Sequence, residues 1–282
     1  MHILFIATPG ANPHNDNHIR LPEAFRRAGC NVVCEPFEQL RYARTSGPQE
    51  LFVGKHLLTD FDLIWLVGFG PRGDYLSRTQ ILDQLPDEVF VTTPTAMQHL
   101  HSKIPWLSYG PPFVVSADVD AVRDWMQTQP GPWIIKPPAA SFGEHVSLLQ
   151  SPTELAHVWA SRPGATWIAQ QYIDAIQEGE IRTLLANGKL IGCYRRRPAA
   201  GGWLANLTQE GIPEPATLTA AQHKLVTQLG DALRRQGVRF AAVDCCAEYV
   251  VEVNVANPGG LATLHELYQQ DFALKVAQAF ID

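Results

Sequence analysis

Hydrophobic positions along the chain fall into short runs separated by polar loops. The first run, His2 to Thr8, has the length of a buried strand, and an amphipathic helix is predicted from about Leu21 to Gly29. Further runs of strand length are Val32 to Cys34, Phe61 to Val67 and Phe90 to Thr93. Helical or loop-rich stretches separate these runs, so we expect an α/β lobe over residues 1–95.

After Pro94 a helical segment through Lys103 begins a predicted central lobe over residues 96–165. Its elements are strands at Phe113–Val115, Trp133–Lys136 and Val146–Leu149, and a helix at Asp118–Gln127. A C-terminal lobe over residues 166–282 has strands at Trp167–Tyr172, Arg182–Ala186, Leu190–Arg196, Phe240–Ala247 and Tyr249–Val255, and helices at Ala220–Gln236 and Leu264–Phe280. The predicted fold class is α/β with α+β lobes.

Composition excludes several classes of protein. With 46% hydrophobic and 18% charged residues over 282 positions, the chain can bury large cores and is not disordered. Its 22 Lys and Arg against 28 Asp and Glu give a net charge of -6, which provides no general attraction to nucleic acids or anionic membranes. The apolar runs are much shorter than the about 20 residues that span a bilayer. Because the N-terminus also lacks a basic segment, we expect a cytoplasmic protein.

The five cysteines are odd in number and follow no secretory signal, which predicts free thiols. Cys30 and Cys34 are not accompanied by a second pair at zinc spacing, and Cys245 and Cys246 lie in an apolar segment. We therefore expect structural thiols and no cysteine-bound metal.

The last two predicted strands carry polar residues within otherwise apolar runs. Glu252 and Asn254 are two positions apart, so both side chains point to one face of their strand. If the two strands pair as a hairpin through Glu248, Asp244 can lie beside them. Three oxygen groups of this kind suit Mg²⁺ that also binds substrate phosphates. For Glu252 and Asn254 alone, an ordinary half-exposed antiparallel strand explains the pattern equally well.

Two lysines and a run of arginines extend this set. Lys136 closes a strand and precedes a loop with Ser141 and Gly143 whose backbone amides could cover phosphates. A single lysine such as Lys136 or Lys103 is usually a solvated surface charge, so neither alone predicts a nucleotide site. Arg196 points to the opposite face of its strand from Arg195 and Arg197.

Seven motifs in this order resemble the ATP-grasp superfamily, and most closely prokaryotic-type glutathione synthetase. The motifs are Ser102-Lys103, Trp133–Pro137, Ala169–Ile176, Glu178–Arg182, Gly201-Gly202 with Asn206-Leu207, Val243-Asp244 and Val251–Asn254. Each motif alone is weak, but their order and spacing match the family from about Pro94 to the C-terminus. The resemblance implies an ATP-grasp fold preceded by an N-terminal α/β pre-ATP-grasp domain.

The resemblance also implies roles for individual residues. It assigns the ATP phosphates to Lys103 and Lys136, adenine to Gln171, Tyr172 and Ile173, and ribose to Glu180. It assigns the metal to Asp244, Glu252 and Asn254, with Mg²⁺ expected and Mn²⁺ as the alternative. Arg182 is expected to face the reacting carboxylate and, with Lys136, to act in catalysis. The remaining substrate residues implied are Arg196, Asn206, Asn257, Gly259 and Gly260.

The implied activity is ATP-dependent ligation of a carboxylate to an amine through an acyl phosphate, with γ-glutamylcysteine and glycine as the first candidate pair. The chain departs from the family in the loop after Lys136, at Trp203-Leu204, and at Asn257–Leu261. Gly259 and Gly260 could widen an acceptor pocket or allow a tighter turn. These departures leave open another acid and amine, or a nucleotide-binding regulatory module without catalysis. The expected partners are small-molecule substrates, and a homo-oligomer is left open.

Overall fold

A computed structural model of the chain describes residues 1–8, 15–44, 46–139, 143–199, 202 and 211–281. Within this part of the chain, no helix combines the length and apolar character needed to cross a membrane. The predicted substrate residue Asn206 and the loop residue Ser141 lie outside the described residues.

The first lobe is built around a parallel sheet with a small antiparallel sheet beside it. Its elements are β1 (His2–Ala7), α1 (Asn17–Arg27), β2 (Asn31–Pro36), β3 (Leu40–Ala43), β4 (Glu50–Val53), β5 (His56–Leu57), β6 (Leu63–Val67), α2 (Tyr75–Leu82) and α3 (Pro94–His99). The parallel sheet has the order β2-β1-β6, and the antiparallel sheet has the order β3-β4-β5. The continuous apolar pattern of β1 and β6 follows from burial of both faces, as is usual in parallel sheets.

The predicted strand at Phe90–Thr93 is wrong. Phe90 makes only an isolated parallel bridge to Ile64. Thr93 is instead the N-cap of α3, where its Oγ1 accepts a hydrogen bond from the N–H of Ala96 at 3.1 Å. The helix start therefore ends the extended segment before it can form a strand.

The central lobe is a four-stranded antiparallel sheet covered by two helices. Its elements are β7 (Phe113–Ser116), α4 (Val119–Thr128), β8 (Trp133–Lys136), β9 (Ser147–Leu149), α5 (Leu155–Ala160) and β10 (Trp167–Gln171). The order is β7-β10-β8-β9, which places β10 between two central-lobe strands. We therefore propose that the boundary expected at residue 165 lies after Gln171.

The C-terminal lobe contains a five-stranded antiparallel sheet. Its elements are β11 (Glu180–Ala186), β12 (Lys189–Arg197), β13 (Ile212–Pro215), α6 (Ala220–Arg235), β14 (Phe240–Cys246), β15 (Tyr249–Asn254), α7 (Leu261–Tyr268) and α8 (Phe272–Ile281). The order β13-β12-β11-β14-β15 places β11 at the centre of the sheet. β14 and β15 pair as the predicted hairpin.

The predicted continuous helix at Leu264–Phe280 is also wrong, because the chain forms α7 and α8 separately. Gln269 ends α7 in the left-handed conformation, with φ of 52°. The Asp271 carboxylate then accepts a hydrogen bond from the N–H of Leu274 at 2.9 Å in the first turn of α8. Asp271 also pairs with Arg27 of α1 at 2.6 Å, which joins α8 to the first lobe.

The parallel sheet of the first lobe packs against the C-terminal lobe through aromatic side chains. Trp65 of β6 stacks on Phe5 of β1 at 5.4 Å and meets Phe240 of β14 edge-on at 5.1 Å between ring centroids. At the carboxyl end of β6, the N–H of Gly68 donates to the carbonyl of Ala256 at 3.3 Å. The carboxyl edge of the first sheet therefore adjoins the segment that follows β15.

Candidate active site

Adjacent strands of the C-terminal sheet bring the predicted acidic and basic residues together. Glu180 and Arg182 lie on β11, Arg196 on β12, and Asp244 on β14. The register places Arg182 opposite Asp244, and Glu180 opposite Arg196. Asp244 in turn lies opposite Glu252 of β15, so the predicted hairpin does set these two carboxylates side by side.

Arg182 and Asp244 form a bidentate ion pair at the centre of this cluster. The Nε of Arg182 donates to Oδ1 of Asp244 at 2.8 Å, and its NH2 donates to Oδ2 at 2.7 Å. Asp244 is fully buried, which alone would raise its pKa, but Arg182 and Arg196 hold that pKa below its usual value. Burial would lower the pKa of Arg182, yet Asp244 raises it, so both groups are charged at neutral pH.

Arg196 joins two acids within the cluster. Its NH2 lies 2.7 Å from Oδ2 of Asp244 and also pairs with Glu180. Arg196 is 3% and Glu180 is 4% exposed. Burial raises the pKa of Glu180, Arg196 opposes this shift, and Asp244 adds to it. The residues predicted for substrate and ribose are therefore bound to each other in this structure.

Lys103 reaches the same cluster from the segment between α3 and β7. Its Nζ lies 3.0 Å from Oε1 of Glu252. The N–H of Lys103 donates to the carbonyl of Pro138 at 2.9 Å, and the Ser102 hydroxyl donates to the same carbonyl at 3.4 Å. These bonds hold Lys103 beside the loop that follows Lys136, so the two predicted phosphate-binding lysines belong to one site.

Lys136 ends β8 and is only 6% exposed. Burial lowers its pKa to about 8, and the nearby charge of Lys103 contributes, while Glu252 and Glu180 oppose the shift. A buried ammonium group with a lowered pKa is not a solvated surface charge. It suits a site that binds an anion.

The segment Gln171–Ile173 connects the central and C-terminal sheets. The N–H of Gln171 donates to the carbonyl of Pro112 at 2.9 Å, and the N–H of Tyr172 donates to the carbonyl of Pro132 at 3.0 Å. These bonds fix the path of the segment. No backbone carbonyl in the described part of the chain accepts a hydrogen bond from the N–H of Ile173.

Asp244, Glu252 and Asn254 supply hard oxygen donors at one end of the β14–β15 hairpin. The Nδ2 of Asn254 lies 3.5 Å from Oδ2 of Asp244. Among the described residues, no three His, Cys, Asp or Glu side chains form a site that could hold a metal alone. Two carboxylates and an amide fit a divalent ion that completes its coordination with nucleotide phosphates. All five cysteines are free thiols, as predicted.

The segment after β15 packs tightly against Arg182. The carbonyl of Gly259 lies 3.5 Å from NH1 of Arg182. Gly260 has φ of +133°, and a Cβ there would lie 3.2 Å from Tyr194 and 3.5 Å from the Arg182 side chain. The positive φ and the short distance to Tyr194 favour glycine at position 260 for the backbone turn.

Asn257 accepts hydrogen bonds from two asparagines of the first lobe. Its Oδ1 accepts a hydrogen bond from Nδ2 of Asn17 at 2.8 Å, and its carbonyl accepts one from Nδ2 of Asn15 at 2.9 Å. Sequence reasoning missed both asparagines, because polar residues before a helix are ordinary loop and capping residues. It also missed Tyr194, whose position in an apolar strand predicts only core packing.

Comparison with protein families and curated relatives shows what the chain is similar to. Residues 103–269 match the model of the family described as prokaryotic glutathione synthetase, ATP-grasp domain. The glutathione synthetase of Thermosynechococcus vestitus is 26% identical over 95% of each chain. That of Bradyrhizobium diazoefficiens is 26% identical over 79% of this chain and 73% of its own.

Solved structures with similar folds cover nearly the whole chain. The ATP-grasp ligase PsnB in complex with a minimal precursor has a TM-score of 0.74 at 16% identity, over 99% of this chain and 98% of its own. D-cycloserine synthetase DcsG has a TM-score of 0.71 at 16% identity, with the same coverage of 99% and 98%. The similarity confirms the predicted fold, including the N-terminal α/β lobe.

Proposed function

Since the chain belongs to the prokaryotic glutathione synthetase ATP-grasp family, and is an ATP-dependent ligase that joins a carboxylate to an amine, we propose that the cluster on β11, β12, β14 and β15 is its active site. The observation that supports this assignment is the convergence of four cations with three acids. The cations are Lys103, Lys136, Arg182 and Arg196, and the acids are Glu180, Asp244 and Glu252.

Formation of an acyl phosphate would be the first chemical step. A carboxylate is a poor acyl donor, so an oxygen of the acid attacks the γ-phosphorus of ATP, and the bond to the β,γ-bridging oxygen breaks to release ADP. Arg182 would orient the acid and stabilise the negative oxygens of the acyl phosphate. Its guanidinium is already held in place by Asp244, which lowers the cost of ordering it during the reaction.

Lys103 and Lys136 would hold the phosphate chain in line with the acid. In the present structure Lys103 is paired with Glu252, so phosphate binding would exchange one oxygen partner for another. Lys136 approaches from the central sheet and would neutralise phosphate charge in a buried setting. Glu180 would bind the ribose and residues 171–173 the adenine.

Asp244, Glu252 and Asn254 would hold the divalent metal that the family uses with ATP, with Mg²⁺ as the proposed ion and Mn²⁺ as the alternative. When bound, such an ion neutralises phosphate charge as a Lewis acid. Glu252 would be available to bind the metal once Lys103 contacts the nucleotide phosphates.

An amine would then attack the acyl carbon, expel phosphate and form the amide. The segment Asn257–Gly260 lies beside Arg182 and is the proposed acceptor region. No covalent enzyme intermediate is needed. Burial raises the pKa of Cys245 and of Cys246 to about 12, which disfavours either thiolate as a nucleophile.

The small-molecule substrates proposed first are γ-glutamylcysteine and glycine, with a different acid and amine as the second candidate. The test is release of ADP and phosphate from ATP across paired acids and amines, with hydroxylamine added to trap the activated acid as a hydroxamate. A pair-dependent signal is expected. If a broad panel gives neither ADP nor hydroxamate while ATP still binds, the protein is a regulatory nucleotide-binding module instead. A cytoplasmic location stays a prediction.

A further inference from the structure

Two buried asparagines of the first lobe hold the segment that follows β15. Asn17 is 1% exposed, and its Nδ2 donates to Oδ1 of Asn257 at 2.8 Å and to the carbonyl of Pro258 at 2.9 Å. The Nδ2 of Asn15 donates to the carbonyl of Asn257 at 2.9 Å. We call these three hydrogen bonds the asparagine clasp.

The clasp is itself held in one geometry. The N–H of Asn17 donates to Oδ1 of Asn15 at 3.1 Å, so the two side chains are oriented together at the start of α1. Asn17 uses both N–H groups of its amide on the segment. A buried amide whose donors are all satisfied rigidifies the backbone that it contacts.

The clasp acts on residues next to Arg182. Pro258 is followed by Gly259, whose carbonyl lies 3.5 Å from NH1 of Arg182, and by Gly260, which is packed against Tyr194. A Cβ on Gly259 would lie 3.4 Å from Nδ2 of Asn15. Gly259 thus contacts the clasp on one side and Arg182 on the other, so a shift at Asn257 would move the backbone beside Arg182.

We propose that Asn17, together with Asn15, is a positioning residue for the amine step, and that Asn257 is the acceptor of the clasp and not a direct contact of the substrate. The proposal rests on the proposed function, in which Asn257–Gly260 forms the acceptor region. It adds that the first lobe, which the family match over residues 103–269 does not include, controls where the amine binds.

The clasp predicts separate effects on the two halves of the reaction. In Asn17→Ala, the KM for the amine should rise about tenfold or more, because the acceptor segment is no longer fixed. Hydroxamate formation at high hydroxylamine should stay within about twofold of wild type, because the acid and ATP sites are intact. The matched control is Asn31→Ala, since Asn31 is an exposed asparagine at the start of β2.

Variants at Asn257 distinguish positioning from substrate contact. Asn257→Asp keeps an oxygen for Nδ2 of Asn17, so its KM for the amine should rise less than that of Asn257→Ala. Asn257→Ala removes that oxygen but leaves the bonds to the carbonyls of Asn257 and Pro258, so the KM should rise, though less than in Asn17→Ala. Because Asn257→Ala breaks the same bond from the less buried side, it serves as the test if Asn17→Ala does not fold, and thermal unfolding reports this.

Three results would overturn the proposal. They are an unchanged amine KM in folded Asn17→Ala or Asn257→Ala, an equal loss of hydroxamate formation and amine coupling, and an Asn257→Asp variant as impaired as Asn257→Ala. Each result is compared with wild-type enzyme that shows turnover in the same assay. Absence of turnover in the wild type would instead reject the proposed function, so the two failures are distinguishable.

Discussion

The Nζ of Lys103 lies 3.0 Å from Oε1 of Glu252, so a proposed phosphate ligand is paired with a proposed metal ligand. Arg182, the proposed partner of the acid, is likewise joined to a proposed metal ligand, Asp244, by two hydrogen bonds. Three cations of the site, Lys103, Arg182 and Arg196, are therefore paired with its three acids in this structure. Nucleotide and metal would replace the contact between Lys103 and Glu252. Asp244 would keep Arg182 in place, so charge would not have to be buried without compensation.

Replacing Glu252 by Gln should abolish turnover and leave the fold intact. The change removes the negative charge that a divalent ion requires but retains the volume of the side chain. We expect at least about a 100-fold loss of ADP release, with a melting temperature within a few degrees of wild type.

The control for this variant is Glu248→Gln in the turn of the same hairpin, where the side chain is exposed. Its activity should equal that of wild type. Substantial activity in Glu252→Gln would remove Glu252 from the metal site.

ATP affinity should fall as pH rises through about 8, because Lys136 loses its charge there. Loss of one charge-assisted contact corresponds to about a 10-fold to 100-fold weaker Kd. Lys136→Met should bind ATP weakly at all pH values, and Lys136→Arg should bind it without this pH dependence. Calorimetry between pH 7 and 9.5 measures the ATP affinity of the wild type and of both variants.

Lys136 should also make the folded state more stable as pH rises. Its pKa is about 8 when folded and near the ordinary 10.5 when unfolded, so the unfolded state binds more protons between these values. Denaturant unfolding at pH 7 and pH 9.5 should show this gain in wild type and a smaller one in Lys136→Met. Equal pH responses in the two proteins would contradict the buried position of this lysine.

Arg196→Met should destabilise the protein by about 3 kcal/mol, because it leaves Glu180 buried without its cation. Its neighbour provides the matched control, since Arg195 points to the other face of β12. Arg195→Met should change stability by about 0.5 kcal/mol or less. Urea unfolding compares the two, and similar free energies of unfolding would argue against a buried ion pair at Arg196.

Gly260→Ala should lower both stability and activity. The added Cβ meets Tyr194 and Arg182 at a backbone φ of +133°, and such strain costs about 1–3 kcal/mol. Gly47→Ala is the control, because a Cβ there meets nothing within 4 Å. The expected result is a reduced melting temperature and slower ADP release in Gly260→Ala alone. A fully active Gly260→Ala would show that the close approach to Arg182 is unimportant.

Strong local patterns made much of the site predictable from sequence. Alternation in β15 places Glu252 and Asn254 on one face, and a single acid in an apolar strand identifies Asp244. The turn at Ala247 and Glu248 then brings the strands into register. These inferences hold because strand geometry relates neighbours in sequence to neighbours in space.

Contacts between distant segments could not be predicted in this way. The bond between Asn17 and Asn257 joins residues 240 positions apart, and nothing in either segment specifies its partner. The pairing of Arg196 with both Glu180 and Asp244 depends on the order of strands in the sheet, which local pattern does not give. The break between α7 and α8 depends on Gln269, whose left-handed conformation is unusual for glutamine.

Most of the charged residues of the site lie on interior strands. β8, β11, β12 and β14 each have a neighbouring strand on both sides. The departures from the family that the sequence predicts fall in segments that connect strands, such as the one after Lys136 and the one after β15. This separation makes the enzyme a scaffold for engineering. Connecting segments could be exchanged to change the acid or amine that is accepted, while the phosphate-activating framework is inherited unchanged.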